Sequence, residues 1–379
     1  MKFVNKKVLC IEIVMWLFFV GLHTFVRMVS YVESQGMITY LLKASLVLVL
    51  TVLIWSARKK LHYLLDKLSN YKGLSEYRDI LVLCILCLIP LTMLLEIWGN
   101  NFSIYTYRAV DLGAWLIPKT KIYDIFSILI FPWLIGLVFR KMKYSIGSLI
   151  SAVLEVLGIT FWGVLIFGHL NNIWLVELMF LNFVTIISAI YIFVWKKPYI
   201  KKRIVIALLA CYALVWNWLL GLFHWGGRSL TEYLFSEWNA YRSDVHCLMN
   251  KACFIGTLQE VSGADNVQQF LVDNSNYVHQ LLYYKGWSSI IIMMIILSCF
   301  LWMLAKMLRI KNELHRSFLV YMAAFWNLAV RIVMGSLFTF AIVPYPVALP
   351  FAGDIGLYTD TMAFGLLLCC AYENYKEKY

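Results

Sequence analysis

Residues 287–308 read WSSIIIMMIILSCFLWMLAKML, an apolar stretch whose first charged residue is Lys306. About 20 consecutive apolar residues cross the hydrocarbon core of a bilayer, so this stretch predicts a transmembrane helix. The same pattern recurs along the chain and predicts about ten transmembrane helices. Their ranges are 8–26, 37–57, 80–98, 122–139, 146–168, 172–194, 204–224, 287–308, 317–342 and 355–372.

Composition supports this fold class. Of the 379 residues, 62% are hydrophobic and only 14% are charged, which leaves too little polar surface for a soluble domain of this size. The spans run from end to end, so residues 1–379 are predicted to form a single integral membrane domain. The first span lacks an obvious cleavage site and is predicted to be an uncleaved anchor. We therefore predict an all-α polytopic membrane protein.

The net charge of +12 is unevenly distributed. If Met1 starts in the cytoplasm, most Lys and Arg residues fall on the inner segments, in agreement with the positive-inside rule. Both termini are therefore predicted to be cytoplasmic. The basic balance indicates topology and contact with anionic membrane lipids rather than a nucleic-acid partner.

One long polar segment, residues 225–286, separates spans seven and eight and is predicted to be extracytoplasmic. Ser229 and Glu232 form a capping box that predicts a helix, and the spacing of apolar residues from Val245 predicts a second helix that ends near Gly256. Cys247 and Cys253 share this loop, so a disulfide between them is one alternative; two free thiols are the other.

Charged residues within spans are costly in hydrocarbon and are functional candidates. Glu155 and Arg331 lie near mid-span, where they either pair across a polar cavity or each stabilise a helix contact. Before span four, a second group of charges indicates either an anion-binding rim or ordinary surface ion pairs. That group comprises Arg108, Asp111, Lys119, Lys121 and Asp124.

No nucleotide-binding, haem or metal-protease motif is present, and no metal or cofactor is predicted. Cys84 and Cys87 form a CxxC within a span, where a pair without further ligands is typical of packing rather than of a zinc site.

The order of these features resembles the SEDS family (shape, elongation, division and sporulation; the FtsW/RodA type). Leu112 to Asp124, reading LGAWLIPKTKIYD, resembles the family stretch from LG to QPSExxK, and Arg108 matches the family Arg of the RRWI element. Val343 to Gly356, reading VPYPVALPFAGDIG, resembles the LPVTGIPLPFISYGG turn. Phe270 to Gly286 resembles the segment that closes the long loop.

The departures concern the residues that carry the chemistry. Lys121 and Asp124 match the family's Glu and Lys with their charges exchanged. The family's loop Asp falls on Tyr277 when Leu271 is the anchor and on Ser275 when Gly286 is the anchor, and Asn276 lies between. An amide does not accept a proton near neutral pH, so Asp273 is the nearest candidate base.

The resemblance implies a bacterial plasma-membrane protein that polymerises peptidoglycan from an undecaprenyl-linked disaccharide-peptide, with a class B penicillin-binding protein (a transpeptidase) as partner. Asp273 and Asn276 are then the catalytic candidates. The implied substrate-binding residues are Arg108, Lys121, Asp124, Glu155 and Arg331. Two alternatives stay open: a non-catalytic scaffold or precursor-binding partner of a transpeptidase, and a transporter or polymerase of another lipid-linked glycan. The sequence does not decide whether the protein is an enzyme.

Overall fold

A computed structural model provides the structure of the protein. It describes residues 6–31, 37–70, 109–111, 116–118, 147–155, 183–188, 224–225, 228–258, 277–308, 318–344, 349–351 and 353–376, with shorter pieces at 128, 132, 135, 138, 145, 190, 203–204, 206–207, 210–211, 214 and 347. Every long element within these ranges is a helix.

Seven helices are described in full. They are α1 (Lys6–Tyr31), α2 (Met37–Asn70), α3 (Leu230–Lys251), α4 (Tyr277–Lys285), α5 (Trp287–Met307), α6 (Phe318–Thr339) and α7 (Gly353–Lys376). Helices α1, α2, α5, α6 and α7 coincide with five of the ten predicted spans. The helical prediction is therefore confirmed at this level, whereas the count of ten spans and the topology stay predictions.

In the part of the chain that the structure describes, the strands form two short antiparallel pairs. β1 (Ala109–Asp111) pairs with β2 (Leu116–Pro118), and β3 (His224–Trp225) pairs with β4 (Arg228–Ser229). Gly226 and Gly227 separate the second pair, and a Gly-Gly dipeptide is favoured in two-residue hairpin loops. These pairs depart locally from the all-α prediction, because short loops with suitable turn residues form hairpins even between helices.

Two described helices are long and apolar enough to cross a membrane, namely Trp287–Met307 and Leu319–Thr339, and shorter apolar helices cover Ile13–Val26 and Thr359–Ala371. Helix α2 extends without a break beyond the predicted span 37–57. The spacing of Leu61, Leu64, Leu65 and Leu68 predicts an amphipathic helix on the inner leaflet after that span, and these residues belong to the continuation of α2.

The long loop differs from its prediction in its helices, and it settles the open question of its two cysteines. Helix α3 is one continuous helix from Leu230 to Lys251, where two helices were predicted. No Gly or Pro occurs between these residues, so nothing in the backbone forces a break. Cys247 and Cys253 are both unbonded, so the disulfide alternative is wrong and the two thiols are free.

The chain divides into two compact units. The first comprises residues 1–62, 232–310 and 328–379, and the second comprises 63–231 and 311–327. In the first unit, α1 packs against α4 and α7, and α5 packs against the same two helices. The core of this unit is aromatic, with the Phe19 and Phe364 rings stacked at a centroid distance of 4.1 Å.

The start of α5 is fixed to the segment that follows α3. The amides of Trp287 and Ser288 donate to the carbonyls of Cys253 and Phe254 at 3.1 and 3.0 Å, and the Leu258 amide donates to the Tyr283 carbonyl at 2.8 Å. The Trp287 indole also donates to the Met249 carbonyl at 3.3 Å. These bonds hold the loop helices α3 and α4 against the N-terminus of α5.

Candidate functional site

The structure describes two of the seven residues that were predicted to form a site, Arg331 and Glu155. Glu155 has an exposed side chain and belongs to the second unit. The other five lie outside the described residues: Arg108, Lys121, Asp124, Asp273 and Asn276.

Arg331 lies in the interior of the first unit, on α6, and is 2% exposed. Its guanidinium donates through Nη1 to Oδ1 of Asp360, which is itself completely buried on α7, and through Nη2 to the Leu349 carbonyl at 3.2 Å. A buried charge is tolerated only when it is paired and hydrogen-bonded, and both conditions are met here. Arg331 is thus held by groups of the protein itself.

The same carboxylate fixes the turn between α6 and α7. Oδ2 of Asp360 accepts a hydrogen bond from the Phe351 amide at 2.6 Å, while Arg331 binds the Leu349 carbonyl. The ion pair therefore holds the backbone on both sides of Pro350. Phe351 has a φ of 69°, in the left-handed region that is unfavourable for a bulky residue. The buried pair compensates for this conformation.

The turn before α7 packs closely against the backbone of α6 at Gly335. Gly335 lies one helical turn after Arg331, and a Cβ atom at its position would lie 3.2 Å from the Leu349 backbone. A glycine therefore lets the turn come close enough for Arg331 to reach the Leu349 carbonyl. Arg331 and Gly335 are four positions apart, so both lie on the face of α6 that contacts the turn.

Aromatic rings enclose Phe351. The His23 ring packs edge-on against it at 4.7 Å between centroids, and the Phe19 and Phe300 rings lie at 5.8 and 5.6 Å. His23 is buried, and its Nε2 lies 3.9 Å from Oδ2 of Asp360. The ion pair is thus shielded from water, which strengthens its electrostatic attraction.

Tyr277 occupies one of the positions that the family resemblance assigns to the loop carboxylate. Its side chain is buried, and its hydroxyl has no hydrogen-bond partner among the described residues. Burial raises the pKa of the phenol above its ordinary value; the Asp360 charge raises it further, and the Arg331 charge partly opposes this. Tyr277 therefore stays protonated and cannot act as a general base.

His279, on the same short helix, joins α4 to the end of α6. Its Nε2 lies 2.8 Å from the Thr339 carbonyl, which can only accept, so Nε2 carries the proton. Burial lowers the pKa of His279 to about 4, and the hydrogen bond to Thr339 partly opposes that shift. The imidazole is therefore neutral at pH 7, and it acts here as a structural donor.

A groove of about 940 Å³ opens at the junction of α3, α5 and the turn after α6. Arg242 and His246 of α3 and Ser298 of α5 contribute its charged and polar side chains. Arg242 Nε donates to His246 Nε2 at 3.4 Å, and the Ser298 hydroxyl donates to the Met294 carbonyl of its own helix at 2.7 Å. Ile291, Met294 and Ile295 contribute to its apolar wall along α5. The groove thus combines a basic side chain with an apolar wall, and none of its described lining residues is acidic.

Asp360 is the site residue that the sequence analysis missed. It lies within the predicted span 355–372, so the rule that singled out Arg331 applies to it equally. It lies nine positions after Phe351, the last residue of the LPF turn (Leu349, Pro350 and Phe351). Among the described residues, no group of three or more His, Cys, Asp and Glu side chains could hold a metal ion.

Comparison with known proteins gives a match in structure but none in sequence. Neither a protein-family model nor a curated protein matches the chain. A solved structure does match, and it is described as "Structural coordination of polymerization and crosslinking by a peptidoglycan synthase complex". The similarity has a TM-score of 0.55 at 14% sequence identity and covers 95% of this chain and 98% of the matched chain. The protein therefore has the fold of a component of a peptidoglycan synthase complex.

Proposed function

We propose that this protein is a divergent SEDS-type protein of the bacterial plasma membrane that acts in cell-wall assembly. The observation that carries the proposal is the shared fold, which extends over 95% of the chain and comes from a peptidoglycan synthase complex. The LPF turn adds support, because the residues that resemble the family there form an ordered element fixed by a buried ion pair.

The proposed reaction is transfer of a glycan from an undecaprenyl-pyrophosphate-linked disaccharide-peptide. A sugar 4-hydroxyl attacks the anomeric carbon of the donor, a carboxylate accepts the hydroxyl proton, and the pyrophosphate leaves. Asp273 is the proposed base. Arg108 and Lys121 are the proposed cations that stabilise the leaving pyrophosphate, with Asp124 as the charge partner of Lys121.

Two candidates have narrower roles in this proposal. Arg331 is engaged by Asp360 and Leu349, so we assign it the positioning of the LPF turn rather than direct contact with pyrophosphate. Asn276 has no basic group, and its amide is suited to binding a sugar hydroxyl. Glu155, with an exposed side chain, stays a substrate-binding candidate.

The test is polymerisation of labelled lipid-linked disaccharide-peptide by the purified protein, alone and with class B penicillin-binding proteins. Asp273→Ala should abolish glycan strands. Asp265→Ala is the matched control, because it removes a carboxylate from the same loop at a position that the family resemblance does not single out, and it should retain the activity. Equal loss in both variants, or full activity of Asp273→Ala, would refute the assignment of the base.

A second candidate function is that of a non-catalytic scaffold that binds a transpeptidase or the lipid-linked precursor. The observation that favours it is the self-contained site: Asp360 is committed to Arg331 and to the Phe351 amide, and Tyr277 stays protonated. Neither group is available to accept a proton. Absence of product from folded protein with every partner, together with retained binding of the precursor, would select this function.

The remaining alternative, transport or polymerisation of another lipid-linked glycan, is distinguished in the same assay. Movement of a labelled precursor across a proteoliposome membrane without strand formation would indicate transport. Strand formation from a precursor with another glycan would indicate a different polymerase.

A further inference from the structure

The groove beside α5 has a polar end and an apolar body. On α3 its lining residues are Trp238, Arg242, His246 and Met249, spaced by four, four and three positions, so they share one helical face. On α5 the lining begins at Trp287, where the helix starts, and continues to Cys299. Polar groups from the loop helix therefore meet an apolar strip along a helix that is apolar enough to cross a membrane.

The length of the apolar strip corresponds to one leaflet of a bilayer. Trp287 and Cys299 are twelve positions apart, which is about 18 Å at a rise of 1.5 Å per residue. The hydrocarbon core of a bilayer is about 30 Å thick, so one leaflet contributes about 15 Å. Ile291 and Ile295 on this strip are 49% and 57% exposed. The strip thus offers open apolar surface over the depth of a single acyl chain.

The charge at the polar end suits a phosphate group. Arg242 and His246 are exposed there, and no acidic residue occurs among the lining residues that the structure describes. Asp244, the carboxylate nearest to them in sequence, projects from another face of α3 and does not line the groove. A guanidinium donates two parallel hydrogen bonds to phosphate oxygens, and Trp side chains such as Trp238 and Trp287 favour the level of lipid headgroups.

We propose that this groove is a binding site for one phospholipid of the outer leaflet. The phosphate binds Arg242 and His246, and one acyl chain lies along α5 from Ile291 to Cys299. The match in length to one leaflet and the match in charge to a single phosphate select this occupant. The proposal shares with the proposed function a membrane location and an outer position of the groove, but it requires no glycan-transfer activity. Loss of that activity would therefore leave it standing.

The experiment measures lipid retention by the full-length protein in detergent, using native mass spectrometry with added phosphatidylglycerol. Ile295→Trp fills the groove and should abolish retention of one lipid. Ile292→Trp is the matched control: Ile292 lies on the same helix, is 58% exposed and does not line the groove. Arg242→Gln should weaken binding about tenfold or more, because it removes the charge-assisted hydrogen bonds of the guanidinium to the phosphate. Lys285→Gln, which removes an exposed cation elsewhere in the loop, should not.

Other occupants give distinct results that would overturn the proposal. Retention that depends on Arg242 for undecaprenyl phosphate but not for phosphatidylglycerol would assign the groove to the lipid-linked precursor. Competition by inorganic phosphate at the phospholipid concentration would indicate a site for a free anion. A photo-crosslinker at position 295 that captures a polypeptide instead of a lipid in native membranes would indicate a protein partner. If Ile295→Trp does not fold, Ile291→Trp and Arg242→Gln test the same claim.

Discussion

Arg331 and Asp360 are opposite charges in an apolar surrounding, and each provides the main compensation for burial of the other. Removing one partner from a buried pair costs about 3–5 kcal/mol, because the other charge is left without a partner, whereas replacing both with apolar residues is often neutral. The pair also holds two backbone groups of the LPF turn. The turn therefore depends on the charges as well as on its own sequence.

We predict that Asp360→Leu lowers the free energy of unfolding by about 3–5 kcal/mol. The double variant Arg331→Met/Asp360→Leu should recover part of that loss, because no unpaired charge remains buried. Thermal unfolding in detergent measures both. Asp244→Asn, which changes an exposed carboxylate, is the control and should have little effect. Additive losses in the double variant would contradict the pairing.

His279 gives the fold a pH dependence. Its pKa is lowered to about 4 in the folded protein, against an ordinary value of 6.5, so the unfolded chain binds more protons between these values. Stability is therefore fully present above about pH 6.5 and falls as the pH drops toward 4, by up to about 1.4 kcal/mol per pH unit.

We predict that His279→Gln flattens this dependence, because the Gln amide can still donate to Thr339 but does not titrate. Unfolding midpoints of the wild type and the variant should be compared from pH 7 to pH 4.5, since other groups titrate equally in both. His246→Gln, on the exposed face of α3, is the control. Parallel curves for wild type and His279→Gln would contradict the prediction.

The charged residues of this site could be recognised in the sequence. Arg331 was a candidate because charges are rare in apolar spans, and Asp360 meets the same criterion. What the sequence could not reveal is their pairing, because it depends on how α6 and α7 meet across the LPF turn. In the sequence, Tyr277 was known only as one position that aligns with the family's loop Asp. The structure was needed to show that its side chain is buried.

At the scale of elements, helix boundaries followed apolar periodicity where a helix crosses the core, and they were less well predicted in the loop. Helix α3 was predicted as two helices, one following the capping box and one from Val245. Tyr241 and Val245 are four positions apart, so the helical spacing in fact continues past Arg242 and Asp244. Two polar residues do not end a helix when no Gly or Pro breaks it. Arg242 lies between the two predicted helices and lines the groove.

The junction between α4 and α5 depends on one glycine. Gly286 has a φ of 79°, and a Cβ atom there would lie 2.9 Å from the Phe254 carbonyl oxygen, inside ordinary contact distance. Gly256 has a φ of 101° but open space around it. Both glycines have a positive φ, which disfavours other residues, but only Gly286 lacks space for a Cβ atom.

We predict that Gly286→Ala destabilises the protein markedly more than Gly256→Ala. The control variant incurs backbone strain of about 1–2 kcal/mol, whereas Gly286→Ala adds displacement of the chain at Phe254. Thermal unfolding and protease sensitivity of the 251–258 segment measure the difference. Equal effects would show that backbone conformation alone requires these glycines.

At the scale of the whole molecule, apolar segments and the distribution of basic residues predict a topology that needs its own test. Five predicted spans coincide with helices described in full, while 80–98 lies outside the described residues. The count of ten therefore rests on hydropathy, and the orientation rests on the positive-inside rule. The hydrocarbon core of a membrane admits apolar helices because their backbone hydrogen bonds are satisfied within the helix. The number of spans and their orientation can therefore be predicted from the sequence.

Reporter fusions should reveal alternating topology. Alkaline phosphatase is active only outside the cytoplasm, so fusions after residues 35, 110, 170, 250 and 345 should be active. Fusions after 72, 142, 199, 312 and 379 should be inactive, and the same positions fused to a cytoplasmic fluorescent reporter should give the opposite pattern. An inactive fusion at 250 would place α3 and the groove on the inner side. That result would also remove the outer location that glycan transfer and the proposed outer-leaflet lipid site both require.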